Sequence, residues 1–214
     1  SGWEYRGVIE RLEGREGTAR IVDRKRIPLE IPVRITLAQA LPKGDKMEFI
    51  VQKATELGVA RIVPFRSARS IPRRTEERAA RRLERWRRIA AEAAEQCGRA
   101  DVPEIAETLP FQEALGKAGP GAVKILFWEA ETERSIREIL EDDATRSAKE
   151  FFLVVGPEGG ITGEEAEQAR QAGFLTASLG RLVLRVETAA LAILAIFQYE
   201  CGLIGALEGK DRDG

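Results

Sequence analysis

Hydrophobic and polar positions along residues 3–10, 18–23 and 29–35 form short β-rich runs, which predicts three short strands. They are broken by the turn-forming run Glu13-Gly14-Arg15-Glu16-Gly17 and by Lys25-Arg26. Three short strands bury too little to stand alone, so either they pack on the rest of the chain or they belong to a larger barrel whose first strands precede this chain. After Leu41-Pro42-Lys43-Gly44 the period changes to that of a helix. Met47, Ile50, Val51, Ala54 and Leu57 share one face, Asp45 and Glu48 form a capping-box-like start, and Gly58 is a stop. Residues 59–65 then read as a buried strand. A second helix is predicted over 75–97, with Leu83, Trp86, Ala90, Ala93 and Cys97 inward, the arginines outward, and Gly98 ending it.

From there strand and helix alternate. Residues 123–128, 151–155 and 175–179 read as strands. Ser135 with Glu138, and Thr162 with Glu165, are capping pairs for two helices, the second ending at Gly173. Residues 188–199 are apolar on nearly every side, so that helix is expected to be buried inside the domain or against a second copy of the chain. A β-α-β-α order predicts an α/β fold with a mostly parallel sheet covered on both faces. Residues 209–214 read as a loose tail.

Composition sharpens the picture in two ways. The 214 residues, 43% hydrophobic and 32% charged, are enough to bury a real core, but the near-balance of 34 basic and 35 acidic residues hides a segregation. Residues 61–99 hold twelve Arg against five Glu, while residues 100–160 hold thirteen acids against six bases, so one segment is suited to meet an anion. The second point is chemical: there is no histidine, and the cysteines are Cys97 and Cys201. A Ser-His-Asp or Cys-His nucleophile is therefore impossible, and a zinc site lacks its ligands. Two lone thiols are no disulfide framework, which points to a reducing cytoplasm. The first residues lack signal-peptide features and no apolar run approaches about 18 to 20 residues, so neither export by that route nor a membrane span is expected.

The most informative stretch is Gly156-Pro157-Glu158-Gly159-Gly160-Ile161-Thr162, a glycine-rich turn between a strand end and a capped helix start. In open parallel sheets, ligands bind beyond the carboxyl ends of strands, and glycines let the backbone approach a ligand closely. The spacing matches neither the dinucleotide fingerprint nor the P-loop. A plain turn requiring positive φ accounts for such glycines equally well. A second turn, Ser178-Leu179-Gly180, ends the next strand and leads to Arg185 and Glu187 before the apolar helix, where a helix cap and a solvated arginine are the ordinary alternative.

Five motifs together resemble the RsmE family of 16S rRNA uridine N3-methyltransferases, within the SPOUT superfamily of trefoil-knot methyltransferases. They are Lys43-Gly44-Asp45-Lys46-Met47-Glu48, Gln52-Lys53-Ala54-Thr55-Glu56-Leu57-Gly58, Glu95-Gln96-Cys97-Gly98-Arg99, Val155-Gly156-Pro157-Glu158-Gly159-Gly160, and Leu179-Gly180-Arg181 followed by Glu187-Thr188-Ala189. The resemblance spans residues 37–202. It implies a partial PUA-like, RNA-binding β domain over residues 1–35, where family members carry a complete barrel. It further implies a SPOUT methyltransferase domain over 36–208 with a C-terminal knot, and a homodimer.

By the same resemblance, S-adenosylmethionine is held by Leu126, Phe127, Gly156, Pro157, Glu158, Gly159, Gly160, Leu179, Gly180, Leu184 and Thr188. The sulfonium already activates its methyl group, so the protein's task is to align N3 of a uridine of the small ribosomal subunit's 16S rRNA and help it lose a proton. Without histidine the base is a carboxylate, another weak base or water. Glu187 and Glu129 are the candidates, with Arg185 offsetting charge on the uracil oxygens; helix capping or pairing with arginines explains both glutamates as well. Arg78, Arg82 and Arg85, joined by Lys46, Lys53 and Arg99, are expected to contact RNA phosphates, although a solvated helix face is the common fate of such arginines. Two other readings remain: a ribose 2′-O-methyltransferase on the same fold, and a non-catalytic RNA-binding assembly factor. No metal is expected.

Overall fold

The structure is a computed structural model that describes residues 3–14, 16–26, 33–70 and 76–204. Residues 29–32 of the third expected strand, Thr75 at the expected start of the second helix, and the expected tail at 209–214 lie outside the described residues. The chain opens with β1 (Trp3–Glu13) and β2 (Glu16–Arg26), an antiparallel pair joined at Gly14, whose φ of 61° a side chain would strain. Both strands are longer than the β-rich runs suggested, with register shifts between Arg6 and Gly7 and between Ile9 and Arg11.

The third expected strand is displaced. Instead of joining the hairpin, β3 (Arg34–Ala40) is a central strand of a separate parallel sheet. Its partners are β4 (Arg61–Arg66) on one side and β8 (Glu150–Val155) on the other. Ile35 and Leu37 face one layer and Ala38 and Ala40 the other, so two-sided burial breaks the alternation that would have carried the strand to Ala40. Beyond β8 come β7 (Val123–Phe127) and then β9 (Leu175–Ala177). On the opposite edge the two-residue strands β5 (Glu104–Ile105) and β6 (Leu109–Pro110) both pair with β4.

Helices cover both faces, as the strand–helix order requires. One layer holds α1 (Lys46–Glu56), α2 (Glu76–Gln96), α4 (Ile136–Glu141) and α7 (Val186–Glu200), packed on Leu37, Leu153 and Ile125. The other holds α3 (Phe111–Leu115) and α6 (Gly163–Gln171), packed on Phe65, Phe152 and Leu126. A short helix, α5 (Asp143–Ser147), precedes β8 and is capped by Asp142. Both capping boxes form as the sequence predicts, with Ser135 accepting from the Glu138 amide and Thr162 from the Glu165 amide. Asp45 does not complete one: it makes no side-chain cap, and Glu48 instead pairs with Arg85 of α2 at 2.6 Å. Cys97 is exposed rather than inward, because α2 ends at Gln96 and the turn swings it off the buried face. The apolar helix α7 buries one face, through Ala190, Ile193, Leu194 and Phe197, and ties its end to α1 where Gln198 donates to the Leu57 carbonyl at 2.6 Å.

Candidate functional site

The adjacent strands β8, β7 and β9 end together at Val155, Phe127 and Ala177, and three loops leave their carboxyl ends. These loops, 128–135, 156–162 and 178–185, enclose a cavity of about 450 Å³. A parallel sheet concentrates ligand binding at this end, where backbone groups of successive loops converge.

Local hydrogen bonds fix each loop. The Trp128 indole donates to the Ile161 carbonyl at 3.0 Å, fastening the first loop to the second, and the Arg170 guanidinium covers the same ring at 5.3 Å. Behind them the buried Glu131 accepts from the Thr176 hydroxyl and, at 2.8 Å, from the Glu133 amide. The Thr176 bond is the chief reason its carboxyl titrates below the usual range, against a burial effect in the other direction. In the second loop, a Cβ on Gly156 would lie 2.9 Å from Ile161 Cγ1. Gly160 has a φ of 74°, and a Cβ there would overlap the Glu129 carboxylate. In the third loop, Gly180 has a φ of 114° and its amide donates to the Ser178 hydroxyl at 3.2 Å.

The cavity brings together most of the residues the sequence singled out. Phe127, Gly156, Pro157 and Glu158 line it, as do Gly159, Gly160 and Glu129. Leu179, Gly180, Leu184 and Arg185 form the wall from the third loop. Leu126 does not join them: it is fully buried beneath the sheet, because neighbouring residues of a strand point to opposite faces. Thr188 and Glu187, in the first turn of α7, are outside the lining. Trp128, Leu182 and Val183, within the stretches 126–129 and 179–184 that the resemblance assigns to the cofactor, also line it; Ser178, Val186 and Ala189 line it without having been singled out, although each adjoins a residue that was.

Lys46 is placed differently from the phosphate contact expected of it. Lys46 lines this same cavity, with its ammonium 2.9 Å from Glu158 Oε1 and 3.3 Å from Glu187 Oε2. Glu158 also accepts the Lys43 amide at 3.1 Å. Burial pushes the Glu158 carboxyl up, but the hydrogen bonds from Lys46 and the backbone outweigh it and hold the group below the usual carboxylate range. The Glu158 hydrogen bond is likewise the main cause of the raised pKa of Lys46. No local spacing foretold this cluster, since Lys46 and Glu158 are 112 positions apart.

The arginines of α2 border a second cavity of about 350 Å³, against residues 41–48. Arg78 and Arg81 are exposed there, Arg82 lies 5.6 Å over the Trp86 ring, and Arg85 is paired with Glu48. Lys53 pairs with Glu56 at 2.7 Å. Arg99 stands apart from that surface: only 11% exposed, it donates to the Thr55 and Val59 carbonyls at 2.7 and 3.0 Å and pairs with Asp101, closing the C-terminal end of α1. Among the described residues no group of three or more potential ligands is placed to hold a metal ion, and no helix is long and apolar enough to cross a membrane.

The cavity suits S-adenosylmethionine on its own terms. Apolar walls from Phe127, Leu179 and Leu184 match an adenine ring, and the side-chain-free surface at Gly156 and Gly160 admits backbone contact. The exposed Glu129 carboxylate on the wall suits a cation.

A family model described as an RNA methyltransferase domain matches residues 29–198. The ribosomal RNA small subunit methyltransferase E of Bacillus subtilis is 36% identical over 179 residues, covering 82% of this chain and 69% of that protein. Its namesake from a Synechocystis strain is 35% identical; there the alignment covers 84% of this chain but 57% of the relative. Among solved structures, the ribosomal RNA small subunit methyltransferase E from Neisseria gonorrhoeae bound to S-adenosyl methionine superposes with a TM-score of 0.81 at 36% identity, covering 92% of this chain and 79% of that one. A Legionella pneumophila methyltransferase in complex with the same cofactor gives a TM-score of 0.81 at 33% identity, with the same coverage. With a family model spanning most of its length and relatives this similar over most of theirs, this chain belongs to the ribosomal RNA small subunit methyltransferase E family.

Proposed function

We propose that the protein transfers the methyl group of S-adenosylmethionine to N3 of a specific uridine in the 16S rRNA of the small ribosomal subunit, working as a homodimer in the cytoplasm. The observation that carries this reading is the cavity formed by three loops, two of them glycine-containing, at the carboxyl ends of β8, β7 and β9. The cofactor found in the two similar structures supports placing it there.

When bound, S-adenosylmethionine supplies an electrophilic methyl group on a sulfonium. The rest is the chain's work. Phe127, Leu179 and Leu184 clasp the adenosine and exclude water, while the backbone at Gly156–Gly160 and Gly180 gives its hydrogen bonds. Glu129, exposed and on the cavity wall, takes the N3 proton, since Glu187 is screened from the cavity by Lys46. Arg185 faces the uracil oxygens. Arg78, Arg82 and Arg85 hold RNA phosphates along the exposed side of α2.

The C-terminal loops form a trefoil knot in this reading. Support comes from topology: β8 lies between β3 and β7, β9 lies beyond β7, and α7 then returns to pack on α1. The hairpin β1–β2 is part of a PUA-like RNA-binding domain, consistent with its being a sheet of its own.

Nucleoside analysis of 16S rRNA incubated with protein and cofactor tests the function. It should yield 3-methyluridine; a 2′-O-methylated ribose would move the reaction to the sugar. Calorimetric titration with S-adenosylmethionine should show binding without added metal, and RNA binding with no cofactor binding would leave only an assembly factor.

A further inference from the structure

Lys46 and Arg185 are the cations on the cavity wall among the described residues, and only Lys46 is gripped from two sides. Glu158 comes from the loop after β8, and Glu187 from the first turn of α7. Glu187 Oε2 is buried and has no hydrogen bond, so the ammonium 3.3 Å away is what balances its charge. Withdrawing Lys46 would leave that carboxylate buried and uncompensated, which fixes the ammonium where it is. A lysine ammonium has three N–H donors, and the Lys46 Nζ makes its hydrogen bond to Glu158. Donor capacity therefore remains on a residue that lines the cavity. The same carboxylates raise its pKa, keeping it cationic at neutral pH.

We propose that Lys46 is a catalytic residue, whose ammonium hydrogen-bonds a carbonyl oxygen of the target uracil and stabilises the negative charge gathering there as N3 is deprotonated. This rests on the N3-methylation reading above. The N3–H bond breaks and its proton passes to Glu129, while the freed electron pair is shared with the flanking carbonyl oxygens. The N3–CH3 bond then forms as the S–CH3 bond breaks, its electron pair staying on sulfur. A cation fixed before the reaction contributes here because it need not reorganise as charge develops.

The test uses an RNA fragment with 5-fluorouridine at the mapped methylation position, bound to the protein with non-reactive S-adenosylhomocysteine. Fluorine-19 NMR reads the pH midpoint of N3 ionisation. In the wild type the midpoint should fall roughly 1 to 2 pH units below that of free RNA, as expected beside a fixed opposite charge. Lys46→Gln should return it most of the way, and Lys46→Arg should retain most of the shift. Methyl transfer to ordinary uridine should slow by about 100-fold in Lys46→Gln, with part recovered on 5-fluorouridine, whose N3 is more acidic. A wild-type midpoint no lower than in free RNA overturns the proposal without any variant. Equal midpoints in wild type and Lys46→Gln, with rate and cofactor affinity lost together, mark a structural lysine and overturn it too. In both cases a 3-methyluridine product leaves the functional reading standing, whereas a wild-type product methylated on ribose overturns both.

Discussion

At Gly160 two constraints coincide: a φ of 74° that side-chain-bearing residues rarely adopt, and the Glu129 carboxylate lying where a Cβ would be. Gly160→Ala should therefore weaken S-adenosylmethionine binding tenfold or more by calorimetry, because the substitution both strains the loop and displaces the cavity wall. Gly173→Ala is the control. Its φ of 82° carries a similar backbone penalty, but nothing lies near its would-be Cβ, so it should lose about 1 kcal/mol of stability and leave cofactor affinity alone. Equal loss of affinity in both variants would mean that the cavity does not hold the cofactor at Gly160. The ion cluster makes a prediction of its own. Glu158 titrates below its ordinary range when folded, so its pairing stabilises the protein above that range and is lost as pH falls through the depressed value. Lys46 titrates above its ordinary value, so its share is lost only as pH rises beyond 10.5. Glu158→Gln should accordingly lower the melting temperature at pH 7 by roughly 1 to 3 °C, with the gap to wild type closing below about pH 4. A gap that persists in acid would show that packing, not charge, connects Glu158 to Lys46.

Elements were legible where their signal is local. Ser135 and Glu138, or Thr162 and Glu165, announce a helix start within four residues, and both boxes formed. β3 was read only at its first two residues, since burial on both faces sets Leu37 and Ala38 in succession and breaks the alternation that would have carried the strand to Ala40. Not legible at all were β5 and β6, which at two residues each carry no period and exist because β4 offers them an edge. The site divides in the same way. Its glycine loops were visible as turns between periodic segments, but the partnership of Lys46 with Glu158 and Glu187 arises only when α1, the loop after β8 and α7 are brought together. The helix α2 lies between these cases: its arginine face was plain, while the pairing of Arg85 with Glu48 and the stacking of Arg82 on Trp86 were not. If that face meets RNA, replacing Arg78, Arg82 and Arg85 by Ala should reduce the slope of log affinity against log salt by roughly 0.7 to 0.9 for each phosphate that is no longer neutralised. Cofactor affinity should not move. An unchanged slope would assign the phosphates to another surface.

At the scale of the whole molecule, the question is what covers the apolar surface that the fold leaves open. The helix α7 buries one face, yet Leu191, Ala192, Ala195 and Ile196 remain only partly covered and Tyr199 is 56% exposed. Just before that helix, Leu182 and Val183 on the third cavity loop are 78% and 91% exposed. Apolar side chains so open are costly in water, and their position on and beside one helix is suited to a two-fold interface in which each copy covers the other. Sedimentation at micromolar concentration should then give about twice the 23.7 kDa chain mass. Ile196→Asp places a charge in the middle of that face and should yield monomers, while the buried side, through Ile193 and Phe197, stays intact and the fold persists by circular dichroism. Because Leu182 and Val183 also line the cavity, the monomer should bind S-adenosylmethionine more weakly even though no cavity residue has been changed. A wild-type monomer that methylates RNA at full rate would refute the dimer. A dimer that survives Ile196→Asp would instead move the interface off this face of α7.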